Sequence, residues 1–299
     1  MGGNPRWIGA GLVALSALSF GAMAIFARFA FAGGVDVTAL LFLRFLIAGA
    51  LMAVLMSALK RPWPRRRNTL TLALMGGVGY VAQALCFFLA LQHASAGLVA
   101  LLLYLYPFLV TLLGVAFAGE RLTLLRALAV LSALLGTALT IGAGISGSPL
   151  GIALGVAAAL IYSIYILVGN RVLKEEDPLA AAAVVMLAAA GVFGLVVLVD
   201  APRFPASAAA WAAVLAIALI STVVAMVGFF AGIKRLGAAD AATLSTLEPV
   251  VTFVLASIFL DEPVSAAQLA GGSIVLGAVI ALARGQTGQG QGKGSTSSR

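Results

Sequence analysis

Leu105-Tyr106-Pro107, followed by Gly119-Glu120-Arg121-Leu122-Thr123, returns 142 positions later as Leu247-Glu248-Pro249, followed by Asp261-Glu262-Pro263-Val264-Ser265. Pro107 falls on Pro249 and Glu120 on Glu262 without a gap, so residues 96–126 and 238–268 read as two copies of one segment. Carried backwards, the same offset sets Gly9 on Gly151, Phe20 on Tyr162, Arg28 on Asn170 and Asp36 on Pro178, although identity in the first helices is low. Each copy puts a proline halfway along an apolar stretch. A proline there removes a backbone donor and crowds the carbonyl four residues earlier, on Leu103 and Ser245. Bare backbone polarity at such depth is tolerated only inside protein or beside a wet cavity.

The surroundings are apolar enough to make that depth a membrane. The 299 residues are 63% hydrophobic and 9% charged, with a mean hydropathy of +1.14. Soluble domains carry roughly 25% charged residues. A crossing needs about 20 apolar residues, and the intervals between charges divide into ten such stretches: 7–31, 37–58, 69–91, 95–118, 123–143, 150–170, 178–199, 208–232, 237–260 and 264–283. The expected fold class is all-α integral membrane: ten transmembrane helices as two inverted five-helix repeats around a central cavity. Residues 1–143 form the first repeat and 150–284 the second, and residues 285–299, rich in Gly, Gln and Ser, form a disordered tail. The first helix is longer than a signal core and is matched in the second half, so it is expected to be retained.

Charge sets the orientation. With the N-terminus inside, 15 of the 18 basic residues fall on cytoplasmic segments, while Arg28 and Arg203 face the other side and Arg44 lies within a helix. Both termini are therefore expected in the cytoplasm. The net charge of +8 is explained by this topology, not by nucleic acid. Trp7, Trp63 and Trp211 fall at helix ends, as interfacial anchors do. The single cysteine, Cys86, excludes an internal disulfide.

Five helices per half make the second copy enter from the opposite face, which relates the halves by a pseudo-twofold axis in the membrane plane. Such a chain has two conformations of similar energy, and alternating access follows. A membrane enzyme would need clustered His, Asp or Cys, and the chain has one histidine and one cysteine. It has no Walker motif. No cofactor and no metal site are expected. The partners are a small-molecule substrate and the lipid bilayer, with the chain a monomer or weak homodimer.

The chain also resembles the drug/metabolite transporter superfamily, specifically its EamA-like ten-helix exporters. The resemblance rests on Leu43-Arg44-Phe45, Tyr106-Pro107, Gly119-Glu120-Arg121-Leu122-Thr123, Glu248-Pro249, Asp261-Glu262-Pro263 and Gly271-Gly272, and covers about residues 9 to 284. It implies a cavity lined by helices 1, 3, 4, 6, 8 and 9, with helices 5 and 10 outside it. It also implies that the membrane is the inner membrane of a bacterium, and export of amino acids or other small metabolites. Efflux of lipophilic amines or drugs is the alternative.

Glu248 stands near mid-membrane, where an acid costs roughly 2.5–3.5 kcal/mol on insertion scales. Three roles are open to it: binding a substrate ammonium, carrying a coupling proton, or holding the kink. Arg44 can pair with an acid, meet a substrate carboxylate, or snorkel to the interface. With Glu248, Pro107 and Pro249 it makes the candidate gating and coupling set. Tyr80, Gln83 and Tyr104 on helices 3 and 4, Phe20, Tyr162 and Tyr165 on helices 1 and 6, and Ser245 are candidate cavity residues; plain packing is the alternative for each aromatic. Glu120 and Glu262 read as helix-end architecture beside the capping candidates Thr123 and Ser265.

Overall fold

Leucine, alanine and valine dominate every stretch between charges, and in the computed structural model they form helices almost throughout. The structure describes residues 5–94, 96–119, 122–141, 147–259 and 264–285. Glu120, Arg121, Asp261, Glu262, Pro263, Gly142, Gly144 and the C-terminal tail lie outside the described residues. Ten helical elements are present among the described residues, five of them interrupted. They are α1 (Pro5–Gly21 and Met23–Ala32), α2 (Val37–Ala58), α3 (Arg66–Leu74, Met75–Tyr80, Val81–His93), α4 (Ala96–Leu103 and Tyr106–Ala118) and α5 (Leu124–Ile141). The second half gives α6 (Pro149–Val172), α7 (Pro178–Asp200), α8 (Ala208–Ala218, Leu219–Val224, Ala225–Leu236), α9 (Ala238–Leu244 and Leu247–Phe259) and α10 (Ala266–Gly285). Seven are long and apolar enough to cross a membrane, and the shorter apolar helices Tyr106–Phe117, Leu124–Leu139 and Ala266–Ala281 belong to α4, α5 and α10.

Polar side chains set where several helices begin. Ser148 accepts from Gly151 N, Asp177 from Leu179 N and Ala180 N, and Ser207 from Ala210 N; these are N-caps, two of them with proline in the first turn. At α10, Ser265 N donates to Gln268 Oε1 (2.8 Å) while Gln268 N donates to Ser265 Oγ (3.2 Å), a reciprocal capping box. Thr123 accepts from Arg126 N (3.2 Å) at the start of α5.

The interruptions come in related places. In α4 and α9 the helix stops at Tyr104-Leu105 and at Ser245-Thr246 and then restarts, so each proline falls in a first turn. A missing N–H costs nothing there. The Ser245 carbonyl, left without a proline donor, accepts instead from Glu248 N (3.0 Å), and Leu105 N bonds to Leu102 O (3.2 Å), both as tight three-residue turns. In α3 and α8 the segments Met75–Tyr80 and Leu219–Val224 are π-helical. They lie two residues out of strict repeat register. The break of α1 at Gly21 is the one without a counterpart, since α6 is continuous.

Packing obeys the same symmetry. Helix α1 lies along α8 and α3 along α6, while α2 pairs with α7, α4 with α9 and α5 with α10. Exchanging the halves turns the α1–α8 contact into α6–α3 and leaves the other three pairs unchanged. Close approach depends on small residues: a Cβ on Gly136 of α5 would stand 2.7 Å from the Gly271 carbonyl of α10, and one on Gly76 of α3 would strike the Val185 backbone of α7. The alanine run Ala180–Ala183 of α7 is wholly buried. Outward faces carry exposed leucine and valine, such as Leu131, Leu135, Leu198 and Val199, as a lipid-facing surface requires. Trp7, Trp63 and Trp211 are likewise exposed.

Candidate functional site

All five tyrosines of the chain meet in one cluster between the halves. Tyr80 of α3 packs edge-on against Tyr165 of α6 (centroids 5.9 Å apart), Tyr165 stacks on Tyr162 (6.0 Å), and Tyr162 packs edge-on against Tyr106 of α4 (4.9 Å), which neighbours Tyr104 (6.2 Å). Phe45 of α2 continues the array against Tyr80 (5.3 Å), and Phe230 of α8 joins it at Tyr165 (6.2 Å). Offset and edge-on rings at these spacings contribute beyond their burial.

Glu248 closes one end. It sits in the first turn of the second piece of α9, where unpaired backbone N–H groups favour an anion. Tyr104, Tyr106 and Tyr162 are close enough to its carboxylate to couple to it electrostatically. Glu248 as a residue is half-buried. The break of α1 abuts it: a Cβ on Gly21 would stand 2.9 Å from the Glu248 carbonyl. Thr252 Oγ1 donates to that carbonyl (3.0 Å) and to the Gly21 carbonyl (3.1 Å). Ser245, at the break of α9, is buried, its hydroxyl turned back to Ala241 O (3.0 Å). Tyr106 donates to Ala242 O across the α4–α9 contact (3.3 Å).

Arg44 closes the other end. Snorkelling is excluded, because the residue is 5% exposed. Its Nε donates to Thr222 Oγ1 of α8 (2.8 Å), its Nη2 donates to the Tyr80 hydroxyl (3.1 Å), and its guanidinium lies over the Phe45 ring at 4.9 Å. Arg44 and Glu248, both described, form no ion pair; they interact through the field across the cluster.

The structure thus brings Tyr80, Tyr104, Tyr162, Tyr165, Arg44 and Glu248 together, with Pro107 and Pro249 shaping the breaks beside them. Phe20 is half-buried and packs against the general hydrophobic core. Gln83, half-buried and one turn beyond Tyr80, makes none of these contacts. Sequence reasoning did not count Tyr106 among the candidate site residues and named Phe45 only within the Leu43-Arg44-Phe45 motif; it did not single out Thr222 or Phe230. Thr222 was within reach: it is the residue 142 positions after Tyr80.

A description of the EamA-like transporter family matches residues 7–142 and again residues 149–284. The chain belongs to the EamA-like transporter family. It is a multi-pass membrane transporter and not an enzyme. Among its relatives, the threonine/homoserine exporter RhtA of Escherichia coli (strain K12) is 30% identical over 288 residues, covering 92% of this chain and 89% of the relative. The aromatic amino acid exporter YddG of Ancylobacter novellus is 27% identical over 241 residues, 78% of this chain and 81% of that one. A solved crystal structure shares the fold with a TM-score of 0.79 at 24% identity, covering 94% of this chain and 98% of the other.

Proposed function

We propose that this transporter exports amino acids and related small metabolites across a bacterial inner membrane by alternating access, the substrate's ammonium group meeting Glu248 within the tyrosine wall. The single observation that carries this reading is a carboxylate set at a broken helix beside one end of a five-tyrosine array. Aromatic faces attract a cation, and a largely apolar pocket with a few hydroxyls suits a small amphipathic molecule. The names of the relatives RhtA and YddG support the same class. The distribution of basic residues supports cytoplasmic termini. Residues 1–143 and 150–284 are the units that move against one another. Neither half carries a nucleotide-binding motif, so an ion gradient, exchange, or the substrate's own gradient drives transport.

Efflux of lipophilic amines is the second reading, favoured by one observation. Two donors of Arg44 are committed to protein partners, which leaves Glu248 as the dominant charge for a ligand. Counterflow in proteoliposomes over a panel of amino acids and amines decides. Saturable, trans-stimulated exchange of threonine, homoserine or aromatic amino acids, weakened by Glu248→Gln, supports the first reading. Exchange of amines alone supports the second, and exchange of neither refutes both.

A further inference from the structure

The two acceptors of Arg44 are repeat mates. Tyr80 and Thr222 are 142 positions apart, and each lies in the π-helical segment of its own half, Met75–Tyr80 in α3 and Leu219–Val224 in α8. One side chain hydrogen-bonded to both members of a repeat pair lies near the pseudo-twofold axis. Arg44's own mate, Met186, is buried and apolar, so the second half supplies no equivalent cation. The π segments are the places where α3 and α8 depart from α-helical geometry, and a π turn leaves the backbone hydrogen-bond register locally shifted. Thr222 compensates part of this shift itself: its hydroxyl donates to Ile217 O (2.9 Å), five residues back, while accepting from Arg44 Nε.

We propose that Arg44 is a positioning residue for the transport cycle, tying the π segment of α3 to that of α8 so that the two halves flex as a pair. When the halves exchange conformations, Tyr80 and Thr222 exchange environments as well, and a guanidinium on the axis keeps one bond to each. The planar fork suits this role, since it presents two donors in fixed directions; a lysine ammonium keeps the charge and loses the geometry. The bond to Thr222 is buried and the bond to Tyr80 partly so, where fully exposed charged contacts would contribute little.

The test needs no substrate. Thr222→Val removes one acceptor at nearly constant shape, and hydrogen exchange is followed in peptides covering both π segments of the purified protein in lipid nanodiscs. In protein with Arg44 intact, Thr222→Val is expected to accelerate exchange in Met75–Tyr80, on the other half, about fivefold, as local opening of a coupled unit does. In an Arg44→Met background the same change is expected to add nothing there. Tyr80→Phe is expected to act reciprocally on Leu219–Val224. Arg44→Lys is expected to behave like Arg44→Met. An effect of Thr222→Val confined to its own segment overturns the coupling, and full rescue by Lys overturns the two-point geometry.

Transport supplies a second readout, with any substrate found by the counterflow panel. Arg44→Met is expected to lower the maximal rate by about tenfold or more while the half-saturating concentration stays within about threefold, the pattern of a lost step rather than lost binding. A rise in half-saturating concentration at unchanged maximal rate would make Arg44 a substrate ligand and contradict the proposal. Failure of the panel to find a substrate bears on the proposed function alone and leaves the exchange experiment standing.

Discussion

Asp240 is the carboxylate on which three helices depend at the end of the bundle that holds the chain's N-terminus, and Asp240→Ala is the informative perturbation. Its side chain is 4% exposed, Arg126 of α5 meets Oδ1 through Nε and Nη2 (both 3.0 Å), and Arg6 of α1 meets Oδ2 through Nη2 (3.2 Å). Removing one partner of a buried pair costs about 3–5 kcal/mol, because the other charge remains desolvated. That range applies to Arg126, whose side chain is 16% exposed. The Arg6 side chain is 36% exposed, so its bond is screened and contributes about 0–1 kcal/mol. Asp240→Ala is therefore expected to destabilise by up to about 6 kcal/mol, Arg126→Gln by up to about 5 kcal/mol, and Arg6→Gln by under about 1 kcal/mol. Reversible unfolding in mixed micelles, with all three variants measured at one ionic strength, checks this. Equal losses for Arg6→Gln and Arg126→Gln, or a silent Asp240→Ala, would refute the reasoning. The repeat mates of the trio are Ser148, Leu98 and Gln268, none of them charged. Loss of Asp240 is expected to increase thiol labelling of engineered cysteines at the N-terminal end only.

Other outcomes follow from the same structure. Gly76→Ala puts a methyl group against the Val185 backbone and is expected to destabilise by about 1–3 kcal/mol as α3 is pushed from α7, read by thermal unfolding in detergent; an unchanged midpoint would show that the contact is loose. Tyr106→Phe removes the donor to Ala242 O and is expected to cost about 0.5–1.5 kcal/mol in the same assay, with no change in helix content. The Asp36–Arg203 pair (2.9 Å) joins the loop before α2 to the loop after α7. The Arg203 side chain, hydrogen-bonded to Asp36, holds its carboxyl below the usual carboxylate range. A lowered folded-state value means that the contribution is present above the unfolded value, about pH 4, and is lost as pH falls through the folded one. The difference in unfolding midpoint between the native protein and Asp36→Asn should thus be constant near neutrality, shrink on acidification, and weaken with salt because the pair is exposed. A difference that grows at low pH contradicts that sign.

The sequence was most legible where chemistry is local. Prolines at 107 and 249 announce breaks because a missing donor acts within one turn, and the charge intervals mark helix ends because charge cannot enter lipid cheaply. The π segments had no such signature: Met75–Tyr80 is glycine-rich and Leu219–Val224 is β-branched, so the two share a geometry without sharing a composition. The close approach at Gly21 was also hidden, since the groups it meets, Val251 and the Glu248 carbonyl, lie more than 200 residues away. Arg44 sat far enough along α2 to allow snorkelling; its burial depends on Tyr80 and Thr222, which only the assembled halves bring to it. Projecting Tyr80 through the 142-residue offset would have found Thr222, so the repeat held more information about the site than the composition of any single helix.

The central claim is that the tyrosine cluster lines a water-accessible path between the halves. Thiol labelling tests it most directly, in a Cys86→Ala background and intact membranes, at two positions of α6: Tyr162→Cys within the cluster, and Leu160→Cys on the exposed outer face. A charged, membrane-impermeant maleimide is expected to modify the cysteine at 162 and to leave that at 160 unreacted. Reaction at 160 with none at 162 would place water on the wrong side of the helix and contradict the account.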